Sequence, residues 1–208
     1  YLTVNTTGDL SYVNGRNSFW SIFGNDVDPN IDFIGSKNNK ELLFKTNNEF
    51  TGRISADGKS ISFGNGSIQN NAIEMINIGY NAGKNLQNNV SGAVLIGKNA
   101  GYGGIGSNSV VIGTDAGLSD ASSVDSVYIG NRAGYGAVGY YSVFLGSNAG
   151  ASPNNAGNQS FNSVFLGQNS GRNNAGTLGS TKANNSIFIG NNAGYKAGDV
   201  GLDNFSGG

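Results

Sequence analysis

Apolar residues in this chain fall into short runs closed by glycine. Between residues 76 and 190 a triplet with apolar ends and a terminal glycine occurs seven times, as in "VVIG" (110–113), "VYIG" (127–130) and "VFLG" (143–146). The closing glycines are Gly79, Gly97, Gly113, Gly130, Gly146, Gly167 and Gly190, spaced by 18, 16, 17, 16, 21 and 23 residues. A second glycine follows each of them by four positions: Gly83, Gly101, Gly117, Gly134, Gly150, Gly171 and Gly194. Paired glycines suit backbone angles and close approaches that a side chain forbids. Each copy therefore predicts a short strand and a tight corner.

The columns of this internal alignment differ in strictness. One residue before the closing glycine stand Ile78, Ile96, Ile112, Ile129, Leu145, Leu166 and Ile189, and three before it stand Ile76, Val94, Val110, Val127, Val143, Val164 and Ile187. The column between them is relaxed: Asn77, Leu95, Val111, Tyr128, Phe144, Phe165 and Phe188. Alternate residues of a strand point to opposite faces. We expect the two strict columns to form the interior core ladder. The relaxed column then faces outward, where Tyr128, Phe144, Phe165 and Phe188 stack into an aromatic stripe and a candidate trimer interface. Ala82, Ala100, Ala116, Ala133, Ala149, Ser170 and Ala193, three past each closing glycine, are small, as a corner requires.

One strand and one corner per 16–23 residues describes a coil of a parallel β-solenoid, in which equivalent positions of successive coils stack. The longest connections, 151–162 and 172–185, are expected to bulge out as loops. Residues 1–72 carry no copy of the repeat. They hold the single Trp and read as a small β-rich module with turns at Asn38-Asn39, Asn47-Asn48 and Asp57-Gly58. The expected division is 1–72 and 73–208.

Composition agrees with an all-β chain of many turns. Of 208 residues 35 are Gly and 33 Asn, while only 12% are charged. A net charge of −1 denies the basic field that nucleic-acid binding needs. No run approaches the roughly 18 apolar residues of a membrane span, so no membrane insertion is expected in this segment. Cysteine and histidine are both absent, which excludes thiol nucleophiles and His-dependent triads. Opening at Tyr1 and closing in "NFSGG", the chain reads as a segment or a processed product.

The phrases "NSVVIGTDAG", "DSVYIGNRAG", "NSVFLGQNSG" and "NSIFIGNNAG" resemble the head repeats of trimeric autotransporter adhesins, whose recurring phrase is close to N-S-V-A-I-G-x-x-A. The trailing "AG" or "AGY" and the longer repeat look more like versions in phage tail fibres and related fibrous surface proteins. "DFIGSKNNKELLFKTNNEFTGRISADGKSISFG" looks like a module that often precedes such repeats. The two resemblances cover about residues 32–195. They imply three parallel chains, each a left-handed parallel β-roll, in an intertwined or side-by-side homotrimeric fibre. The repeat length, and aromatics where the adhesin head prefers alanine, depart from that pattern.

Other motifs read as incidental. "GYGGIG" (101–106) satisfies G-x-G-x-x-G but leads into a strand, not the helix that a dinucleotide site requires. "GAVLIGKN" (92–99) nearly spells a phosphate loop, yet Asn99 stands where Ser or Thr must hold magnesium. Asp26, Asp28, Asn30 and Asp32 have the early spacing of a calcium loop but lack its glycine and its glutamate, at Ile31 and Lys37. Neither a cofactor nor a metal is expected. Carboxylate pairs for glycoside hydrolysis could come only from Glu74, Asp115, Asp120, Asp125, Asp199 and Asp203 within the repeats. Asp115 shares a corner column with Asn81, Asn99, Arg132, Asn148, Asn169 and Asn192. Tyr102, Tyr135, Tyr140, Tyr141 and Tyr195 are candidates for receptor or glycan contact.

The expectation is a non-enzymatic structural or adhesive segment of a homotrimeric fibre, from a phage tail or a bacterial surface adhesin. It would sit on a virion tail or at the cell surface and meet a glycan or protein receptor. The alternative is a carbohydrate-active tailspike-type glycosidase or lyase.

Overall fold

The computed structural model describes residues 2–4, 6–8, 10–12, 34–67, 73–86, 90–119, 123–152, 158–172 and 184–195. The chain divides into two compact units, Tyr1–Ser36 and Lys37–Gly208. In the first, β1 (Leu2–Val4) and β2 (Leu10–Tyr12) form an antiparallel pair. The possible calcium-loop residues 26–32 lie outside the described residues.

The second unit opens with β3 (Leu42–Thr46), β4 (Glu49–Ile54) and β5 (Ile61–Phe63), paired antiparallel in sequence order. Asn47 and Asn48, at φ 51° and 61°, make the first turn, and Asp57-Gly58 the second, as expected. The repeats follow as β6 (Ile76–Ile78), β7 (Val94–Ile96), β8 (Val110–Ile112), β9 (Val127–Ile129), β11 (Val143–Leu145), β13 (Val164–Leu166) and β14 (Ile187–Ile189). Within the longer connections β10 (Ala137–Tyr140) and β12 (Asn158–Phe161) pair parallel to each other. Every described element is a strand. From β5 to β14 eight strands pair parallel in one register, and with antiparallel β3 and β4 they make a ten-stranded sheet among the described residues. This is a parallel β-solenoid. Because β5 pairs in register with β6, the sheet runs straight across the division expected at residue 72.

The inside and outside of the coils are the reverse of the sequence expectation. The relaxed column is the core: Asn77, Leu95, Val111, Tyr128, Phe144 and Phe165 are all 0% exposed. The expected ladder faces out. Ile76, Ile78, Val143, Leu145, Val164, Leu166, Ile187 and Ile189 are exposed, and Val94, Ile96, Val110, Ile112, Val127 and Ile129 half-buried. The aromatics do stack, but internally, so they are not a trimer interface. Tyr128 and Phe144 lie 4.9 Å apart and 5° from parallel, Phe144 and Phe165 4.7 Å, and Phe165 and Phe188 5.1 Å.

Coil width explains the reversal. A three-residue strand between two corners sends only its central side chain inward, and that residue must fill whatever room its coil leaves. Ile105, buried between Leu95, Val111 and Tyr128, supplies bulk where the central residue is small. Elsewhere an aromatic ring spans the coil and lies flat on the second glycine. A Cβ on Gly150 would sit 2.6 Å from Phe144 Cδ2. The ring and the bare glycine are one packing unit.

Serine, one residue before each later repeat strand, also turns inward. The Ser142 N–H donates to Ser126 Oγ at 3.2 Å, Ser163 N–H to Ser142 Oγ at 3.2 Å, and Ser186 N–H to Ser163 Oγ at 3.3 Å. Each hydroxyl thus joins neighbouring coils from inside the protein, where an unpaired polar group is costly. Tyr128 is accommodated in the same way, its hydroxyl donating to Ser123 Oγ at 2.6 Å. Asn77 differs, since neither its Oδ1 nor its Nδ2 has a partner although the side chain is fully buried. Orphaning such a group costs about 1–3 kcal/mol. Asn77→Leu, which repeats the Leu95 solution one coil on, should raise thermal stability by about 1–2 kcal/mol in circular-dichroism melts.

Candidate functional site

The outward face of the sheet is the candidate site. Along it the register places Ile61, Ile76, Val94, Val110, Val127, Val143, Val164 and Ile187 in one column, and Phe63, Ile78, Ile96, Ile112, Ile129, Leu145, Leu166 and Ile189 in the next. No position in either column is polar. At ~4.8 Å per strand, these eight strands carry the two columns for about 34 Å. Phe63, Ile76, Ile78, Val143, Leu145, Val164 and Leu166 are 36–41% exposed, Ile61 and the positions from Val94 to Ile129 are half-buried, and exposure rises to 69% and 66% at Ile187 and Ile189 on the edge strand β14. A continuous apolar stripe is unusual on a surface that faces only water.

The corner beside the strands is polar. Asn81, Asn99, Asp115, Arg132, Asn148, Asn169 and Asn192 all hold φ between 54° and 58°, the left-handed region that Asn and Asp tolerate best among residues with a side chain. Asn81 Nδ2 donates to Asn99 Oδ1 at 3.3 Å, Asn99 Nδ2 to Asp115 Oδ1 at 2.8 Å, and Asn169 Nδ2 to Asn192 Oδ1 at 3.0 Å. Asp115 therefore serves its corner. Arg132 turns its guanidinium over the Tyr135 ring, 4.4 Å from the centroid.

The tyrosines do not gather into one platform. Tyr102 and Tyr135 occupy the same position of two coils, with Leu118 of the intervening coil between them. Both are half-buried, and Tyr102 accepts a hydrogen bond from Asn85 Nδ2 at 3.2 Å. Tyr195 is 43% exposed on the last described coil. Tyr140 stacks on Phe161 at 5.1 Å, and Tyr141 is 60% exposed with φ at 55°. Tyr140 and Tyr141 are neighbours by being consecutive.

Among the described residues no three acidic side chains gather where they could hold a metal ion. Glu74 pairs with Lys59 Nζ at 2.9 Å, and that hydrogen bond raises the lysine pKa above its ordinary value. Asp125 lies at φ 53° in an exposed turn. Asp120, Asp199 and Asp203 fall outside the described residues. Asp57 is held below the usual carboxylate range by the Ser55 hydroxyl and then by the Lys59 N–H, both donating to it in the β4–β5 turn. "GYGGIG" leads into β8, and "AVLIG" contains β7, so both glycine motifs belong to the coils.

Comparisons with protein-family models, curated proteins and solved structures gave no match.

Two features escaped the sequence reading: the serine column and the outward direction of the strict columns. Both were signalled by "NSVFLG" (162–167), in which Ser163 and Phe165 share one face and Val164 and Leu166 the other.

Proposed function

We propose that this chain is a structural and adhesive segment of a homotrimeric fibre, a phage tail fibre or a bacterial surface adhesin. Its parallel, left-handed coils project or provide contacts to a cell-surface glycan or protein receptor. The role is non-catalytic.

One observation carries the reading. The core column varies from Asn through Val to Tyr, whereas the outward columns of the repeats hold to Ile, Val and Leu. Packing among the described residues leaves these outward columns exposed or half-buried. Burial against identical chains accounts for their constancy, because a surface with the same repeat period matches them coil by coil. Assembly in threes also multiplies any weak receptor contact, such as one at Tyr140 and Tyr141, through avidity.

Sedimentation equilibrium at micromolar concentration should give three times the 21.3 kDa chain mass. Val143→Asp combined with Leu145→Asp should give a monomer with an unchanged circular-dichroism spectrum. A wild-type monomer would overturn the proposal. Release of reducing ends from a host polysaccharide would replace the non-catalytic role with a tailspike-type glycosidase or lyase.

A further inference from the structure

The outward columns do not stop where the repeats stop. Across the antiparallel strands the register continues them as Leu42–Ile54–Ile61 and Phe44–Gly52–Phe63. Leu42, Ile54 and Ile61 are half-buried, and Phe44 and Phe63 are each 37% exposed. Gly52 lies buried beneath the two rings. A Cβ there would come within 2.5 Å of Phe63 Cε1 and 3.2 Å of Phe44 Cδ2. With Gly52 bare, the rings close over the strand between them, their centroids 5.2 Å apart. On β4 the charge beside Gly52 is turned away: Arg53 takes the inward register position, paired with Ser62, and its side chain is 8% exposed. Over ten strands the columns reach about 43 Å, at ~4.8 Å per strand, with no charged position.

We infer that strands β3–β5 form one end of the self-association surface, with Phe44 and Phe63 packing between copies of this chain. The inference rests on the homo-oligomeric reading above. Two things point to a second copy as the occupant. The hairpin columns are continuous with the repeat columns in register and apolarity, and no position along them offers a charge to a differently charged partner. A copy aligned in parallel meets ring with ring at this end and aliphatic with aliphatic along the coils. The hairpin thereby sets the register of the chains.

The test compares association constants by sedimentation equilibrium. Phe44→Ser combined with Phe63→Ser should weaken association at least about tenfold, a change of roughly 1.4 kcal/mol. Phe50→Ser should leave it unchanged. Phe50 is 47% exposed but pairs with Lys45 beyond the β3–β4 bulge, carries that ammonium over its ring, and lies outside both columns. The chain has no cysteine, so Phe44→Cys gives a single thiol that needs no folding-sensitive double change. A short bismaleimide should link chains through position 44 and not through Phe50→Cys. If wild-type chains associate but the serine pair binds as tightly, or position 44 does not cross-link, this inference falls and the fibre reading stands. If wild-type chains do not associate, both fall.

Discussion

Gly146→Ala should destabilise the second unit by about 3 kcal/mol or more, and circular-dichroism melts should show it. Two penalties coincide at this position. Its φ of 134° is one that residues with a Cβ rarely adopt, and a Cβ there would lie 2.6 Å from the Gly167 carbonyl oxygen. That oxygen belongs to the next coil's backbone, which cannot rotate away as a side chain could. Gly190 separates the two contributions. It has a similar φ of 122°, but its Cβ would meet nothing nearer than Ala193 Cβ at 4.0 Å. Gly190→Ala should therefore cost only the backbone strain, on the order of 1–3 kcal/mol. Equal losses at the two sites would mean that the coils do not stack glycine on glycine.

Phe144→Ala should cost about 3–5 kcal/mol, while its neighbour Leu145→Ala should cost under about 1 kcal/mol in the dissociated chain. Phe144 is sealed between Tyr128 and Phe165 and rests on Gly150, so truncation opens a cavity that rigid corners cannot close. Leu145 is 38% exposed and leaves no cavity. The two sites should also answer differently to protein concentration. Loss at Leu145 should grow as copies associate, because binding to the folded state adds to apparent stability, whereas loss at Phe144 should not. The opposite ranking in melts of dilute protein would restore Leu145 to the core.

Much of this architecture was legible from residue spacing. The closing glycines and apolar ends located each repeat strand, and the registers Val127↔Val143↔Val164 and Ile129↔Leu145↔Leu166 follow the internal alignment. The turns at Asn47-Asn48 and Asp57-Gly58 followed from turn chemistry. What failed was the assignment of faces. Strict Ile and Val columns suggest a core because interiors are usually the more constrained side. Here the interior is narrow, and each coil fills it differently, with Leu95 beside Ile105 or with Phe144 alone across the width. Polar Ser142 and Ser163 also face inward, which hides the alternation from any count of apolar residues. The sheet crosses the division expected near residue 72 without a break. Phe44 and Phe63 continue the outer columns, and Gly64 after β5 sits against Gly79 of the next coil at φ 119°, as the closing glycines of the repeats do. Of the candidate receptor residues, Tyr140 and Tyr141 are neighbours by being consecutive, while a column position two coils apart is no guide to proximity.

The hydroxyl relay running through Ser126, Ser142, Ser163 and Ser186 has a consequence for length. Its donors and acceptors are the same at every step, although the intervening loops differ by as much as seven residues (16 against 23). A whole winding can therefore be inserted or removed, and the windings on either side will find the bonds they had before. The reach of such a protein is adjustable in increments of about 4.8 Å, one winding at a time.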